Sequence, residues 1–367
     1  MRRGVSLAIT TALLGLLVGC GRAPQAPPPA PAPPTVDGTT PVVFLDADAA
    51  GEFLSTPDDY LERLNLFNMQ LRLGTDEIVS PEEFAAFAGE QAREWAPAEQ
   101  ERLTRILARY EDKLASYGLE WPEEVRLIKT TGAEEFEAAY TRGNAIILPE
   151  AVLRLDDGAV AAFVLHELFH IYSRHATPAR RDDLYAVIGF QPTTWSPPLL
   201  EPFVANLEPE EWPRLDRRRD IPLPYPIVDS AIVNPDAFHR QHVIPVTIGV
   251  REVFAVPVLF SREDDPVAAA EMGLENIMGL RLLIVAPDEL GSWDMDREMH
   301  QRREAFAVLD QVHGFWQKIG RNTDYVIHPE EVLADNFALL ILDQKDLPSP
   351  EILEKLDAAL RNKESAP

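Results

Sequence analysis

The stretch His166-Glu167-Leu168-Phe169-His170 largely decides how this sequence can fold and what chemistry it can support. Two histidines four positions apart lie about 40° apart around a helix, so both imidazoles can reach one ion. Zinc suits such nitrogen ligands at about 2.0–2.1 Å. Glu167 lies about 100° from His166 around the helix, where it can act as general base on a water molecule at the ion. The spacing therefore predicts His166 and His170 as metal ligands, Glu167 as a catalytic residue and Zn²⁺ as the cofactor.

The residues around this motif predict a strongly apolar helix over 159–174, which Asp156-Asp157-Gly158 would start. A chance match to such a five-residue pattern has a probability on the order of 1% in a chain of this length. A buried helix whose polar groups are satisfied without a metal is the other alternative. It would require partners for two histidines and a glutamate, because burying them unpaired costs several kcal/mol. The pattern favours the metal site.

A tetrahedral catalytic zinc needs a third protein ligand and an open position for water. His175 would point away from the metal unless the helix ended before it. Ser173 and Ala176 stand where the metzincin pattern has its glycine and its third histidine, so that pattern is excluded. Glu201 is a rival by sequence distance, but Pro202 breaks its helical context.

A better candidate lies on a second apolar helix, predicted from Pro329 through Leu342, where Glu331 and Asp335 are four residues apart on one face. At these residues the sequence resembles the gluzincin metallopeptidases, the thermolysin-like group. The resemblance covers the two helices and the strand before them. It implies that Glu331 is the third metal ligand and that Asp335 hydrogen-bonds a metal-bound histidine. Glu330 fits better as a solvated acid stabilised by the helix dipole.

The sequence departs from the gluzincin pattern in one spacing, and the resemblance also suggests further catalytic residues. About 160 residues separate His170 from Glu331, whereas compact gluzincins have a few tens. Gluzincins commonly use a Tyr or a His to stabilise the oxyanion, which makes Tyr325 and His328 candidate catalytic residues, although each also fits a packing or capping role.

The predicted strand 144–148 comes shortly before the zinc helix. It is similar to the family's edge strand, which pairs with extended substrate, and this makes Asn144 and Ala145 candidate substrate-binding residues. Core packing of Ile146 and Leu148 would explain the strand equally well.

The N-terminus has the features of a secretory signal: Arg2 and Arg3, then an apolar run over 5–18. Leu17-Val18-Gly19-Cys20 resembles the lipobox of bacterial lipoproteins, in which the cysteine is acylated. We therefore expect a signal peptide over 1–19, lipidation of Cys20 and a Pro/Ala-rich tether over 20–41. This predicts a membrane anchor in the cell envelope, facing the periplasm from the outer membrane if the host has two membranes. An ordinary cleaved signal with an accidental cysteine is the alternative.

Composition narrows the function classes. The formal charge of −26, from 34 basic and 60 acidic residues, argues against a nucleic-acid partner. Cys20 is the single cysteine, which excludes an intramolecular disulfide and a metal site built from several thiolates.

The pattern along the chain predicts an α+β fold. A helical subdomain is expected over 42–120, followed by a zincin-like catalytic domain over 121–367 with a long mixed insertion at about 176–297. The core would hold a small sheet, the active-site helix and the Glu-bearing helix. Further predicted elements follow the period of apolar residues. They are a strand at 125–129, a hairpin of 242–248 with 253–260 that turns near Gly249, a strand at 280–285 and an amphipathic helix over 298–319.

These observations predict zinc-dependent hydrolysis of peptide bonds at the cell envelope, acting on a peptide or a protein. Two alternatives remain. One is a non-catalytic zinc-containing envelope lipoprotein that binds or assembles other proteins. The other is a zinc amidase that hydrolyses a non-peptide amide, such as a cell-wall bond. Glu167 argues against the first, because a purely structural zinc site has no use for that carboxylate.

Overall fold

The computed structural model describes residues 33–193, 232, 234, 242–287, 293–296, 299 and 306–362. Cys20, Glu201 and residues 20–32 of the expected tether lie outside these ranges. The described residues combine helices with two sheets, which confirms the α+β class. None of their helices is both long enough and apolar enough to cross a membrane.

The first sheet has five strands in the described part of the chain. They are β1 (Val42–Phe44), β2 (Ala92–Arg93), β3 (Val125–Thr130), β4 (Tyr140–Arg142) and β5 (Ala145–Pro149). The order is β1-β3-β5-β4, with β1, β3 and β5 parallel and β4 antiparallel to β5. β2 pairs antiparallel with β3. The region expected to be a helical subdomain thus supplies two strands, β1 and β2, of this sheet.

Six helices accompany the N-terminal strands. They are α1 (Ala47–Ser55), α2 (Asp59–Glu62), α3 (Leu66–Leu73), α4 (Pro81–Glu90), α5 (Pro97–Ala108) and α6 (Glu111–Ala115). α4 begins with a capping box at Ser80, as its sequence predicts. Leu54 of α1 and Phe84 of α4 share a buried apolar cluster with Ile128 and Ile147 of the sheet. Helices α1 to α4 therefore cover one face of the first sheet.

The opposite face of the sheet packs on the helix that carries the motif. Leu127 and Ile146 lie in one buried core with Val164 and Phe337. The remaining helices of the described residues are α7 (Glu150–Leu153), α8 (Asp157–His175), α9 (Pro178–Ala186), α10 (Pro266–Met272), α11 (Leu274–Ile277), α12 (Phe315–Ile319), α13 (Pro329–Ile341) and α14 (Pro350–Arg361). α8 and α13 pack side by side, with the rings of Phe169 and Phe337 5.5 Å apart.

The second sheet is antiparallel and is formed from the long segment between α9 and α12. Its strands are β6 (Gln191–Pro192), β7 (His242–Ile248), β8 (Arg251–Ser261), β9 (Met278–Pro287), β10 (Trp293–Met295), β11 (Phe306–Ala307) and β12 (Val312–His313). The order is β10-β9-β8-β7-β12, with β11 beside β9 and β6 beside β7. The predicted hairpin is confirmed as β7 and β8, and the predicted strand at 280–285 lies within β9.

The helix predicted over 298–319 is wrong for most of its described residues. Residues 306–307 and 312–313 are strands, Leu309–Gln311 form a short 3₁₀ helix, and from residue 306 onward the α-helix is confined to Phe315–Ile319. Phe306 pairs with Leu283 of β9, so sheet pairing overrides the amphipathic period. Gly314 has a φ of 92°, a left-handed conformation that no helix interior adopts.

Candidate metal centre

Helix α8 places the three residues of the motif. Asp156 caps its start, because the side chain accepts from the N–H groups of Gly158 and Ala159. The helix runs without interruption to His175, so His166 and His170 share one face, as their spacing predicts. Glu167 is buried between α8 and the first sheet.

The structure brings Glu331 of α13 to the two histidines. One ligand atom from each of the three residues lies within 4.8 Å of the others. Glu331 Oε2 is 3.1 Å from His166 Nε2 and 3.5 Å from His170 Nε2. Ligands bound about 2.0–2.1 Å from a tetrahedral zinc lie about 3.3–3.4 Å from one another. The two distances from Glu331 Oε2 are close to this value, so the three residues could hold a metal ion.

The other ring nitrogen of His166 is held by Asp335. Nδ1 lies 2.8 Å from Asp335 Oδ1, and the Thr323 hydroxyl donates to Oδ2 of the same carboxylate. A carboxylate can only accept, so Nδ1 donates its hydrogen to Asp335 and Nε2 is the ring nitrogen directed at Glu331, where it can carry a hydrogen or bind a metal ion. Asp335 thus has the position that the resemblance implied, beside a histidine of the motif.

Glu330 holds His170 in the same manner, and the expectation of a solvated acid there is wrong. Its side chain is 1% exposed, and Oε1 lies 3.1 Å from His170 Nδ1. Ser173 Oγ donates to Oε2 at 2.8 Å, and the Tyr185 hydroxyl donates to the same oxygen. Because α13 is apolar on nearly all sides, its first turn is buried with the rest of the helix, and Glu330 needs these donors.

Both imidazoles therefore direct Nε2 at the Glu331 carboxylate. Three acceptor atoms that converge without a hydrogen repel one another unless a cation lies between them. A proton or a metal ion can supply that charge. Imidazole nitrogen with carboxylate oxygen is the ligand set of catalytic zinc sites.

The electrostatics of the cluster favour positive charge. Burial lowers the pKa of His166, but hydrogen bonds to Asp335 and Glu331 outweigh it and raise the pKa to about 10. Burial also lowers the pKa of His170, yet the charge of Glu331 and the bond to Glu330 raise it well above its usual value. Burial raises the pKa of Glu331, but the charge of His170 and the bond to His166 hold it well below the usual range.

Glu167 is fixed from the side of the first sheet. The Thr141 hydroxyl of β4 lies 2.7 Å from Glu167 Oε2, and Arg174 Nη1 donates to the Thr141 carbonyl at 2.9 Å. β4 is itself clamped to the N-terminal helices, because the buried Arg142 binds Asp58 Oδ2 at 2.7 Å and the Leu54 carbonyl at 2.7 Å. The edge of the sheet thus positions the carboxylate of the motif.

The expectation that strand 144–148 forms the sheet edge is wrong. Ala145 pairs with Arg126 of β3 on one side and with Arg142 of β4 on the other, and it is fully buried. Asn144 lies in the turn between β4 and β5, and its amide donates to the Glu124 carbonyl at 3.0 Å. The residues 143–144 allow the chain to fold back, so that β4 covers the edge of β5. Neither Asn144 nor Ala145 lies on the edge strand.

The structure does not bring the remaining candidates into the cluster. His328 is buried at the N-cap of α13, where its Nδ1 accepts from the Glu330 N–H at 3.1 Å. Tyr325 is 41% exposed, and its N–H donates to Thr323 Oγ1 at 2.9 Å. His175 is the last residue of α8 and is exposed. His328 therefore has the capping role that was the alternative to a catalytic one.

Several residues around the cluster had no signal in the sequence. Thr141, Thr323 and Tyr185 are ordinary polar residues whose partners are remote along the chain. The burial of Glu330 did have a signal, because it lies next to Glu331 on a helix with apolar residues on every face.

Comparison with protein-family models, with curated proteins and with solved structures finds no match to this chain. The geometry of the site therefore carries the functional argument.

Proposed function

We propose that this protein is a zinc-dependent peptidase of the gluzincin type, anchored in the cell envelope through Cys20. The observation that carries the proposal is the convergence of His166 Nε2, His170 Nε2 and Glu331 Oε2, with a carboxylate on the far nitrogen of each imidazole. Such carboxylate–histidine pairs fix the tautomer and raise the basicity of metal-binding imidazoles.

The surroundings of the cluster support a catalytic site. Three protein ligands converge among the described residues, and with these three a zinc ion would keep an open position. The His166 side chain is 14% exposed and that of Asp335 is 32% exposed, so solvent reaches this side of the cluster. A small sheet, the motif helix α8 and the Glu-bearing helix α13 would form a zincin-like core.

The residues of the chain suit hydrolysis of a peptide bond. Zinc, when bound, would polarise the scissile carbonyl and lower the pKa of water. Glu167 would accept a proton from the attacking water and pass it to the leaving nitrogen. Thr141 would hold the carboxylate of Glu167 in place.

The decisive experiment combines metal analysis with cleavage of a peptide library. We expect about one zinc per chain and cleavage that chelation abolishes. Glu331→Ala should lose the metal, because it removes a ligand. Glu167→Gln should retain zinc and lose most activity. The matched control is Glu52→Gln, because Glu52 is an exposed residue of α1.

Two outcomes would replace this proposal with an alternative. Bound zinc with no hydrolysis of peptides or amides would indicate a binding or assembly factor. Hydrolysis of cell-wall amides without peptide cleavage would indicate a zinc amidase. A chain that binds no zinc would refute all three.

A further inference from the structure

The two oxygens of Glu331 have different environments. Oε2 faces both imidazoles, at 3.1 Å from His166 Nε2 and 3.5 Å from His170 Nε2. Oε1 accepts a hydrogen bond from Asn234 Nδ2 at 2.6 Å. Asn234 lies 97 residues before Glu331, in the part of the chain between β6 and β7. The carboxylate is therefore held between the motif helix and a residue from the long insertion.

The segment that carries Asn234 is anchored in the core. Two residues earlier, the Ile232 N–H donates to the Leu259 carbonyl of β8 at 3.1 Å. The Ile232 side chain is buried in an apolar cluster with Phe67 of α3, Leu259 and Ile327. Ile327 lies just before α13, so this cluster ties the insertion to the start of the helix that carries Glu331.

A carboxylate can bind a metal through one oxygen or through both. A four-coordinate zinc with an open position requires that Glu331 use one, because a second oxygen would fill the position that water needs. An amide hydrogen bond to Oε1 opposes the rotation that would bring this oxygen to the ion. Asn234 carries no charge, so it fixes the carboxylate without neutralising it.

We propose that Asn234 is a positioning residue that keeps Glu331 a one-oxygen ligand. This inference rests on the proposed metal function. It makes the insertion a structural part of the metal site, so that the site is assembled from β4, α8, α13 and Asn234.

The test measures zinc binding directly, without turnover. Asn234→Ala and Asn234→Leu both remove the donor, and the Leu side chain keeps a similar volume. Asn276→Ala is the matched control, since Asn276 is an exposed asparagine of the same insertion whose amide binds the Met272 carbonyl at 2.8 Å. Zinc affinity is measured by competition with a chelator. X-ray absorption at the zinc edge measures the distance from zinc to the carboxylate carbon, which is shorter when both oxygens bind.

Both Asn234 variants should bind zinc about 10–100-fold more weakly, as is typical when a partner of a metal ligand is lost. Their zinc should lie closer to the Glu331 carboxylate carbon than in the wild type, because Oε1 becomes available and takes the position of the water. The Asn276 control should match the wild type in both measurements.

Wild-type affinity and an unchanged distance from zinc to the carboxylate carbon in both variants would overturn the inference. That result differs from failure of the proposed function, in which the wild-type chain itself binds no zinc, or binds it equally well after Glu331→Ala. A melting temperature near that of the metal-free wild type verifies that each variant is folded.

Discussion

Replacement of Glu330 by Gln tests whether the second carboxylate–histidine pair controls the metal site. The variant keeps the volume and an acceptor oxygen, but it removes the charge that faces His170 Nδ1 at 3.1 Å. We expect zinc affinity to fall about 10–100-fold, which equals about 1.4–2.7 kcal/mol, with one zinc per chain retained. Glu331→Gln removes a ligand and should lose far more affinity.

Glu330→Ala should also destabilise the metal-free fold. It leaves Ser173 Oγ, the Tyr185 hydroxyl and the His170 ring without their acceptor at a site that is 1% exposed. Each buried donor left unpaired costs about 1–3 kcal/mol, and since one cavity serves all three, we expect a total of about 3–5 kcal/mol.

The assay pairs chelator competition for zinc with urea unfolding of the metal-free protein. Tyr185→Phe is the graded control, because it removes one of the three donors and leaves the carboxylate and His170 in place. A zinc affinity of Glu330→Gln equal to that of the wild type would refute the reasoning. Complete loss of zinc in that variant would instead make Glu330 a ligand.

Three further predictions concern other parts of the chain. Thr141→Val should keep zinc but lower kcat about 10–100-fold with little change in KM, because Glu167 loses its 2.7 Å hydrogen bond. Thr141→Ser should restore the rate. A Val variant with the kcat of the wild type would contradict the prediction. Burial raises the pKa of Glu134 above its ordinary 4.5, although hydrogen bonding from Thr130 partly opposes this. The folded state therefore binds the proton more tightly than the unfolded state, and stability falls as pH rises from 4.5 through the raised pKa. In urea melts, Glu134→Gln should be more stable than the wild type at pH 7, and this gain should be smaller at pH 4. An equal gain at both pH values would contradict the prediction. Cys20→Ser should release the protein from membranes in fractionation without changing its circular dichroism, and continued membrane retention would refute the anchor.

The local parts of the site could be predicted from the sequence because helix geometry fixes them. The four-residue spacing of His166 with His170 and of Glu331 with Asp335 places each pair on one face, and both helices are present. The joining of the two helices rested on a resemblance, since no local pattern encodes a contact across 165 residues.

The partners of the cluster could not be predicted for the same physical reason. Thr141 reaches Glu167 because β4 folds back over β5, and this register depends on sheet pairing. The periodic pattern read as a helix over 298–319 fitted a helix locally, but pairing with β9 and β7 determined the fold of residues 306–313.

The sequence separation within the cluster has a consequence for when the site can exist. His166 and Glu331 are 165 residues apart, and Asn234 is 97 residues from Glu331. Contacts of such length form only after the intervening chain has closed a large loop, so they appear late in folding. A nascent or partly folded chain therefore carries the motif helix without its third ligand. Hydrolytic capacity would arise only once the whole chain has folded, which protects the cell that synthesises it from premature proteolysis.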